Sequence, residues 1–434
     1  MRVLAIDIGS SSVKVAVLTG RKPKQIERQP FATRYAGDRA EVSAATILAA
    51  VKKAIAGLGD AARHVDVIVP TGMSPSWLAM DAAGRAITPV VTHQDRRSHR
   101  EAVEIEAAVG RARHLHLTGN RPTPGGISST TARWFVRHTK PAMKNADLVG
   151  HLNTWLIRLL TGERVTDPSN ASFTGLYRTT NLGGWDGDLI AAARVNGAWL
   201  PRVIDANETA GRVTAAGARR FGVTAGTPVL AGFVDGSGGL LAIDAKAGQV
   251  LNVIGSTDVL AVVTDRARPL EGLLTRALGV GRRWVSVATI SAAGSAIAWT
   301  HQNLFADHNE AAFYKLVATL SSQPTTSAVS FDATLAGSRT AIEVASGSIT
   351  GLTLGTGREE ILAAMLNSLA VQSAERFKHF AAARISHGRH ALTTGGGDRT
   401  LARLFRRDWP GEWTFESIEE ATLAGAWKLA ESIL

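Results

Sequence analysis

The first residues that could do chemistry are Asp7 and the small residues that follow it. Asp7 lies near the end of an apolar run over residues 3–8, and the turn that follows contains Gly9, Ser10, Ser11 and Ser12. A carboxylate in such a run is costly unless a cation meets it, and hydrated Mg²⁺ would serve. Small turn residues let backbone N–H groups approach an anion, and three hydroxyl groups add donors. This stretch therefore predicts a magnesium and phosphate site.

The elements that position this site are two strands. Residues 3–8 and 13–18 are apolar and rich in β-branched side chains, which predicts a β-hairpin around the turn. No helix signal follows Gly9, so the pattern is neither a Walker loop nor a Rossmann fingerprint. An ordinary surface hairpin is the alternative. Lys14 either neutralises a phosphate or points to solvent, because side chains alternate along a strand.

The second half of the chain repeats this design. An apolar run over residues 229–234 ends at Asp235, and strands over 250–254 and 259–263 flank Gly255, Ser256 and Thr257. Two such hairpins facing each other would clamp a polyphosphate from both sides. A strand over 391–394 then leads into Gly395, Gly396 and Gly397, whose backbone could lie against a flat ligand.

Length and composition limit the overall organisation. A chain of 434 residues, 45% of them apolar, predicts two domains, which we place at residues 1–227 and 228–434. Strands and helices alternate, among them a strand over residues 65–69 that ends at Pro70 and a helix over residues 146–161, which predicts an α/β fold. The absence of cysteine excludes disulfides and thiolate chemistry, and the start of the chain is unlike a signal peptide, so we expect a cytoplasmic protein.

Charge and hydropathy exclude two classes of partner. The net charge is +11, but the basic residues are dispersed and are not interleaved with aromatic residues, so we expect no nucleic-acid binding. No stretch approaches the ~20 apolar residues that cross a bilayer, so we expect no membrane partner.

Five motifs in order resemble the FGGY carbohydrate kinases, members of the actin-like, ribonuclease-H-like ATPase superfamily. The resemblance covers nearly the whole chain and is carried by residues 7–14 (DIGSSSVK), 93–97 (HQDRR), 231–236 (AGFVDG), 255–257 (GST) and 395–400 (GGGDRT). It implies two ribonuclease-H-like domains with a catalytic cleft between them. A small-molecule sugar or polyol would be the substrate, and family members are often homodimers.

The resemblance also implies roles in phosphoryl transfer from ATP. Asp235 would be the catalytic base, although Asp followed by Gly-Ser is also a common helix cap. Asp7 and Asp235 would hold Mg²⁺ largely through water. The two hairpin turns, with Lys14 a further candidate, would surround the β- and γ-phosphates. The adenosine would lie against a stretch that comprises Gly395, Gly396, Gly397 and Asp398.

For the sugar site, the resemblance points to Met73, Ser74, Asp95, Arg97 and Asp235. Asp95 and Arg97 either bind substrate hydroxyl groups or form a buried structural ion pair. Xylulose kinases carry a Met-His pair where this chain has Met73-Ser74, and the Arg-Glu pair of glycerol kinases is absent, which disfavours glycerol. The expected acceptor is a ketose or polyol, and a xylulose-like ketose is the first candidate.

Other readings of the same residues stay open. Another substrate of the family, such as a heptulose, gluconate or glycerol, is one. A catalytically silent sugar or nucleotide sensor with the same fold is another, although the chain retains both Asp7 and Asp235. A third is an actin-like or heat-shock-type ATPase that hydrolyses ATP without a sugar. Sugar-dependent nucleotide turnover distinguishes the kinase from the sensor and the ATPase.

Overall fold

The computed structural model describes residues 1–321, 328–395 and 399–433. The elements up to residue 242 are, in chain order, β1 Val3–Ile8, β2 Ser12–Leu18, β3 Glu27–Pro30, β4 Arg34–Ala36, β5 Arg39–Val42, α1 Ala44–Gly57, β6 Val67–Gly72, β7 Ser76–Met80, β8 Val90–Thr92, α2 His99–Val109, α3 Arg111–Thr118, α4 Ser128–His138, α5 Lys140–Met143, β9 Leu148–Gly150, α6 Leu152–Thr161, β10 Val165–Thr166, α7 Pro168–Ser172, α8 Gly187–Ala193, β11 Arg202–Val203, β12 Thr209–Arg212, α9 Ala215–Phe221, β13 Pro228–Leu230, β14 Phe233–Val234 and α10 Gly238–Ala242.

The remaining elements belong to the second half of the chain. They are β15 Val250–Ile254, β16 Asp258–Thr264, β17 Leu274–Ala277, β18 Trp284–Ile290, α11 Gly294–Leu304, α12 Glu310–Ser321, β19 Ser330–Asp332, β20 Ser348–Thr350, α13 Arg358–Ala382, β21 His390–Thr394, α14 Arg399–Arg406, β22 Thr414–Ser417 and α15 Ala421–Glu431. Short 3₁₀ turns lie at Gly59–Arg63, Gly197–Trp199 and Asp235–Ser237.

Two large mixed sheets organise the molecule. The first has the order β12-β13-β6-β1-β2-β3, with β14 also pairing with β6, and the second has the order β17-β18-β16-β15-β21-β22. A smaller sheet, β4-β5-β8-β7-β9, extends the first half. The hairpins predicted around Gly9 and Gly255 are both confirmed, as β1–β2 and β15–β16.

The central strand β1 is apolar on both faces because both faces are covered. Leu4, Ile6 and Ile8 pack into a core with α1 and α6. Val3 and Ala5 point to the other side, into a core shared with α10, α15 and the second sheet. Burial on both faces explains why this strand reads as an uninterrupted apolar run with Asp7 as its single charge. The two halves thus meet directly at the first sheet.

Three predicted elements differ from the observed ones. The strand predicted over residues 65–69 continues to Gly72, and the helix predicted over 146–161 begins only at Leu152, because residues 148–150 pair with β7. The strand predicted over 229–234 is broken at Gly232. This glycine has φ +69°, and a Cβ atom there would lie 1.8 Å from the carbonyl oxygen of Pro70.

Both pieces of this broken strand, β13 and β14, pair with β6, so the first sheet includes residues beyond 228. The domain division between residues 227 and 228 stays a prediction. No helix within the described ranges is long and apolar enough to span a membrane.

Candidate active site

Three neighbouring strand ends form the centre of the site. Strand β6 lies between β1 and β14 and runs parallel to both, so the carboxyl ends of the three strands lie at one edge of the sheet. In the register, Asp7 pairs with Thr71, and Val234 pairs with Gly72. Asp235 is therefore the first residue beyond β14, beside the end of β6. This geometry brings the two predicted carboxylates to the same place.

Asp7 is buried, with 3% of its surface exposed. The Thr71 hydroxyl donates a hydrogen bond of 2.9 Å to its Oδ1, and Lys14 Nζ lies 3.5 Å from its Oδ2. Burial raises the pKa of Asp7, while the charge of Lys14 and the Thr71 hydrogen bond oppose that rise. The carboxylate thus has one donor and one cation, and it would gain from a further positive charge.

Asp235 does not cap the following helix. Helix α10 begins at Gly238 without a side-chain cap, and Asp235 Oδ1 instead accepts a hydrogen bond of 2.7 Å from the N–H of Gly236. Burial raises the pKa of Asp235 to about 7, and the charge of Asp7 adds to that rise. A carboxylate with a pKa near neutrality, next to a second carboxylate, has the properties of a general base and suits a cation between the two.

Residues that the sequence analysis missed hold Asp235 in place. The Ser169 hydroxyl accepts a hydrogen bond of 3.1 Å from the N–H of Val234 and donates to Asp167, which caps α7. The Asn153 amide donates to the carbonyl oxygen of Phe233 at 3.0 Å. A polar, turn-rich stretch with an Asp-Pro helix start was the available signal for α7. Nothing local indicated that it supports the strand of Asp235.

Magnesium fits this donor set. Among the described residues, no cluster of three or more His, Cys, Asp or Glu side chains could hold a metal ion. Two carboxylates with raised pKa values, the buried Asp7 and the half-buried Asp235, are nonetheless present at neighbouring strand ends. Mg²⁺ usually keeps several water ligands and binds one or two carboxylates together with phosphate oxygens. Asp7 and Asp235 match that requirement.

The first predicted phosphate turn is exposed and tightly closed. The N–H of Gly9 donates to the carbonyl oxygen of Ser12 at 3.0 Å, while Ser10 and Ser11 are exposed. Lys14 points neither to solvent nor to an open site: its Nζ lies 2.8 Å from Glu420 Oε2 as well as near Asp7. This ion pair connects the first hairpin to the start of α15.

The second turn packs on the start of α11. The carbonyl oxygen of Ser256 accepts hydrogen bonds from the N–H groups of Ala293 and Ser295, at 3.0 and 3.1 Å. Gly255 donates to the carbonyl oxygen of Thr257 at 2.9 Å. Gly395 follows β21 beside this turn, with φ +115°, and a Cβ atom there would lie 2.2 Å from the Ile254 carbonyl oxygen. Gly396, Gly397 and Asp398 lie outside the described residues.

Asp95 and Arg97 form the buried ion pair that was one of the two predicted alternatives. Arg97 Nη2 lies 2.6 Å from both Asp95 Oδ2 and Glu41 Oε1, and its guanidinium group lies over the Trp134 ring. Asp95 Oδ2 also accepts from the N–H of Ala40 at 2.8 Å. Contacts within the protein occupy both side chains, so the geometry favours a structural role over sugar binding.

Met73 is buried and Ser74 is hydrogen-bonded to residues further along the chain. The Ser74 hydroxyl lies 3.2 Å from His151 Nδ1 and donates to Asn170 Oδ1 at 3.3 Å. His151 Nε2 lies 3.0 Å from the Ser128 hydroxyl. Burial lowers the pKa of His151 to about 4, so the imidazole is neutral. No local sequence pattern predicted that His151 and Asn170 would lie near Ser74.

The molecule contains two large mixed sheets with a carboxylate pair on the first sheet and glycine-rich turns on both. This arrangement is the two-domain kinase fold of the actin-like ATPase type. The predicted fold class is confirmed. Residues 2–242 match the N-terminal domain and residues 250–402 the C-terminal domain of the FGGY family of carbohydrate kinases. The chain belongs to this family.

Individual relatives are distant. The chain is 26% identical to a xylulose kinase of Streptomyces coelicolor over 62% of this chain and 55% of that one. It is 27% identical to a glycerol kinase of Trichlorobacter lovleyi, over 86% and 77% of the two chains. The crystal structure of a xylulose kinase from Rhodospirillum rubrum superposes with a TM-score of 0.87 at 24% identity, covering 100% of this chain and 90% of that one.

Proposed function

We propose that the protein transfers the γ-phosphoryl group of ATP to a hydroxyl group of a ketose or polyol, with Mg²⁺ bound at Asp7 and Asp235. The acceptor oxygen forms a bond to the γ-phosphorus while the bond from that phosphorus to the β,γ-bridging oxygen breaks. ADP leaves with the electron pair of the broken bond, and Asp235 takes the proton of the acceptor hydroxyl group. Mg²⁺ would neutralise charge on the phosphate oxygens.

One observation carries this proposal: Asp7 and Asp235 lie at the carboxyl ends of β1 and β14, on either side of β6. Burial, followed by the charge of Asp7, raises the pKa of Asp235 to about 7, which suits a proton acceptor near neutral pH. The turns at Gly9 and Gly255 support binding of the β- and γ-phosphates, and Gly395 beside the second turn supports an adenosine site there. Membership of the FGGY family agrees with this chemistry.

For the acceptor, a xylulose-like ketose is the first candidate, because the sequence resembles xylulose kinases and the fold superposes on one. Glycerol is the second, because glycerol kinases are similar over a larger share of the chain. Membership of a family of carbohydrate kinases favours the enzyme over a sensor that binds sugar and ATP without turnover. A homodimer and a cytoplasmic location remain predictions.

The test is ADP release with magnesium and ATP over a panel of pentuloses, hexuloses, heptuloses, alditols, glycerol and gluconate, with a no-sugar control. For Asp235→Ala we expect turnover to fall at least about 10²- to 10⁴-fold, the usual contribution of a general base. ATP binding, measured by calorimetry, should persist. Asp265→Ala is the matched control, because Asp265 is exposed.

Three results would contradict the proposal. Loss of ATP binding in Asp235→Ala would make Asp235 chiefly structural. Equal ADP release with and without sugar would indicate an ATPase. ATP binding with no ADP release on any acceptor would indicate the sensor.

A further inference from the structure

Arg276 reaches the turn of the proposed base from the second sheet. It lies on β17, an edge strand of that sheet, and 4% of its surface is exposed. Its Nη2 atom donates a hydrogen bond of 2.9 Å to the carbonyl oxygen of Gly236, and its Nη1 atom donates to the Ser237 hydroxyl. Both acceptors belong to the 3₁₀ turn Asp235–Ser237. The guanidinium group is therefore fixed against the two residues that follow Asp235.

The sequence of the turn does little to fix its conformation. Gly236 has no side chain, and Gly238 and Gly239 begin the next helix, so ordering this backbone costs more conformational entropy than ordering other residues. The N-cap residue of the turn is Val234, whose side chain has no polar group to cap it. The Asp235 carboxylate accepts its hydrogen bond from the N–H of Gly236, within the turn itself. Contacts from outside the turn therefore have to hold the carboxylate in place.

Contacts from the first half hold the strand before the turn. The Ser169 hydroxyl accepts a hydrogen bond of 3.1 Å from the N–H of Val234, and the Asn153 amide donates to the residue before it at 3.0 Å. Both contacts lie before Asp235, whereas the contacts of Arg276 lie after it. The proposed base is thus held from one side by the first half and from the other side by the second sheet.

The charge of Arg276 strengthens its two hydrogen bonds to the turn. Burial lowers the pKa of Arg276 to about 10, while the charges of Asp235 and Asp167 oppose that fall. The group is therefore charged at neutral pH, and hydrogen bonds from a charged donor are roughly twice as strong as neutral ones. Loss of the guanidinium group would release the turn and would also leave both carboxylates without this cation.

We propose that Arg276 is a positioning residue for the reaction: it holds the turn Asp235–Ser237 so that the Asp235 carboxylate faces the acceptor hydroxyl group. The inference rests on the proposed kinase function and adds to it a residue from the second half of the chain. Arg276 acts through Gly236 and Ser237, and it touches neither the acceptor nor the nucleotide. A lysine would keep the charge, but it lacks the planar fork that reaches both acceptors at once.

The test combines turnover with a measurement of the turn itself. In Arg276→Met, kcat should fall about 10²-fold, the effect of misplacing a reacting group by about 1 Å, with little change in KM for the acceptor or for ATP. Amide hydrogen exchange over residues 234–240 should become about 10- to 150-fold faster, as expected for loss of a hydrogen bond from a charged group. Exchange over residues 3–8 should not change. Arg276→Lys should recover part of both effects, and Arg202→Met, the same substitution at an exposed strand position, should behave as wild type.

A second variant keeps the test decisive if Arg276→Met does not fold. Ser237→Ala removes one of the two acceptors and leaves the charge of Arg276 in place. It should lower kcat by a smaller factor than Arg276→Met. In the double variant with Arg276→Lys, the two losses should not add, because both act through the same hydrogen bond. Fully additive losses would mean that Arg276 acts elsewhere and would overturn the inference.

The outcomes separate this inference from the proposed function. Faster exchange of the turn alone in Arg276→Met, in a protein that releases no ADP with any acceptor, would support the positioning of the turn and contradict the kinase. Lost turnover with unchanged exchange of the turn would support the kinase and overturn the positioning role. A fall in ATP affinity without a fall in ADP affinity would assign Arg276 to the γ-phosphate and also overturn it. Faster exchange throughout the chain with kcat unchanged would make Arg276 chiefly structural, which overturns it as well.

Discussion

The second phosphate turn should depend on a buried ion pair one residue beyond it. Asp258 begins β16, is fully buried, and accepts hydrogen bonds of 2.6 Å from Arg376 Nη2 and from the Asn252 amide. Arg376, on α13, also donates to the Ser373 hydroxyl at 2.6 Å. Arg376→Met removes the only cation within ion-pair distance of Asp258 in the described part of the chain. The carboxylate is then left buried with a single amide donor.

The expected cost follows from that geometry. Breaking a buried pair by removing one partner typically costs about 3–5 kcal/mol, because the remaining charge stays desolvated. For a half of roughly 200 residues, this corresponds to a fall in Tm of about 6–20 °C. Replacing both partners costs less, so Asp258→Asn combined with Arg376→Met should be more stable than Arg376→Met alone. Gly255 and Thr257 lie next to Asp258, so ATP affinity should fall together with stability.

Differential scanning calorimetry and ATP titration of the single and double variants measure both effects. Arg358→Met is the matched control: Arg358 pairs with Asp307 on the surface, where solvent screens the pair, and Tm should hardly change. A double variant no more stable than Arg376→Met would refute the argument that the unpaired Asp258 charge causes the loss. A Tm for Arg376→Met close to wild type would refute it as well.

Two further predictions concern Gly395 and His151. Gly395→Ala should lower ATP affinity in calorimetric titration, because φ is +115° and the new Cβ atom would lie 2.2 Å from the Ile254 carbonyl oxygen. Gly20→Ala is the control. Its new Cβ atom would meet nothing within 4 Å, so this variant should bind ATP normally. Burial lowers the pKa of His151 to about 4, below the value of about 6.5 that the imidazole has in the unfolded state. As the pH falls below about 6.5, His151 is therefore protonated in the unfolded state before it is protonated in the folded state. The folded state loses stability progressively down to about pH 4. Urea unfolding measures the free energy of unfolding at each pH. Across that pH range, this free energy should fall on the order of 3 kcal/mol more for wild type than for His151→Gln. An equal dependence of the unfolding free energy on pH in the two proteins would contradict this.

The hairpins were predictable because their signals are local. The runs around Gly9 and Gly255 contain β-branched residues, a small-residue turn and no helix signal, and each strand pairs with its chain neighbour. The position of Asp7 at a strand end followed directly. The strand after Val65 was predicted too short because Pro70 was taken as its end. Proline has no backbone N–H, so it fits in a strand only where the neighbouring strand requires no hydrogen-bond donor at that position. Pro70 nevertheless pairs with Ile6 in the parallel register of β6 and β1, and the strand continues past it.

The supporting residues were not predictable, because long-range contacts place them. Ser169 touches Val234 and Arg339 touches Thr123 across 65 and 216 residues of sequence, and no local pattern marks either pairing. Asp95 and Arg97 show the converse problem. Their spacing matched a sugar-binding segment, but two residues separated by one position in a turn can also bond to each other, and Glu41 and Trp134 complete that arrangement.

The location of Asp235 has a consequence for the order of events in the cleft. Asp235 follows β14, and β14 pairs with β6 of the first sheet, so the proposed base and Asp7 lie on one sheet. The turn at Gly255 and Gly395 belong to the second sheet, and so does Arg276, which donates to the carbonyl oxygen of Gly236 at 2.9 Å. Movement of the second sheet would therefore shift Arg276 against Asp235 together with the donor site, while Asp7 and Asp235 keep their spacing. Because this spacing does not depend on the second sheet, acceptor binding should be measurable by calorimetry without ATP.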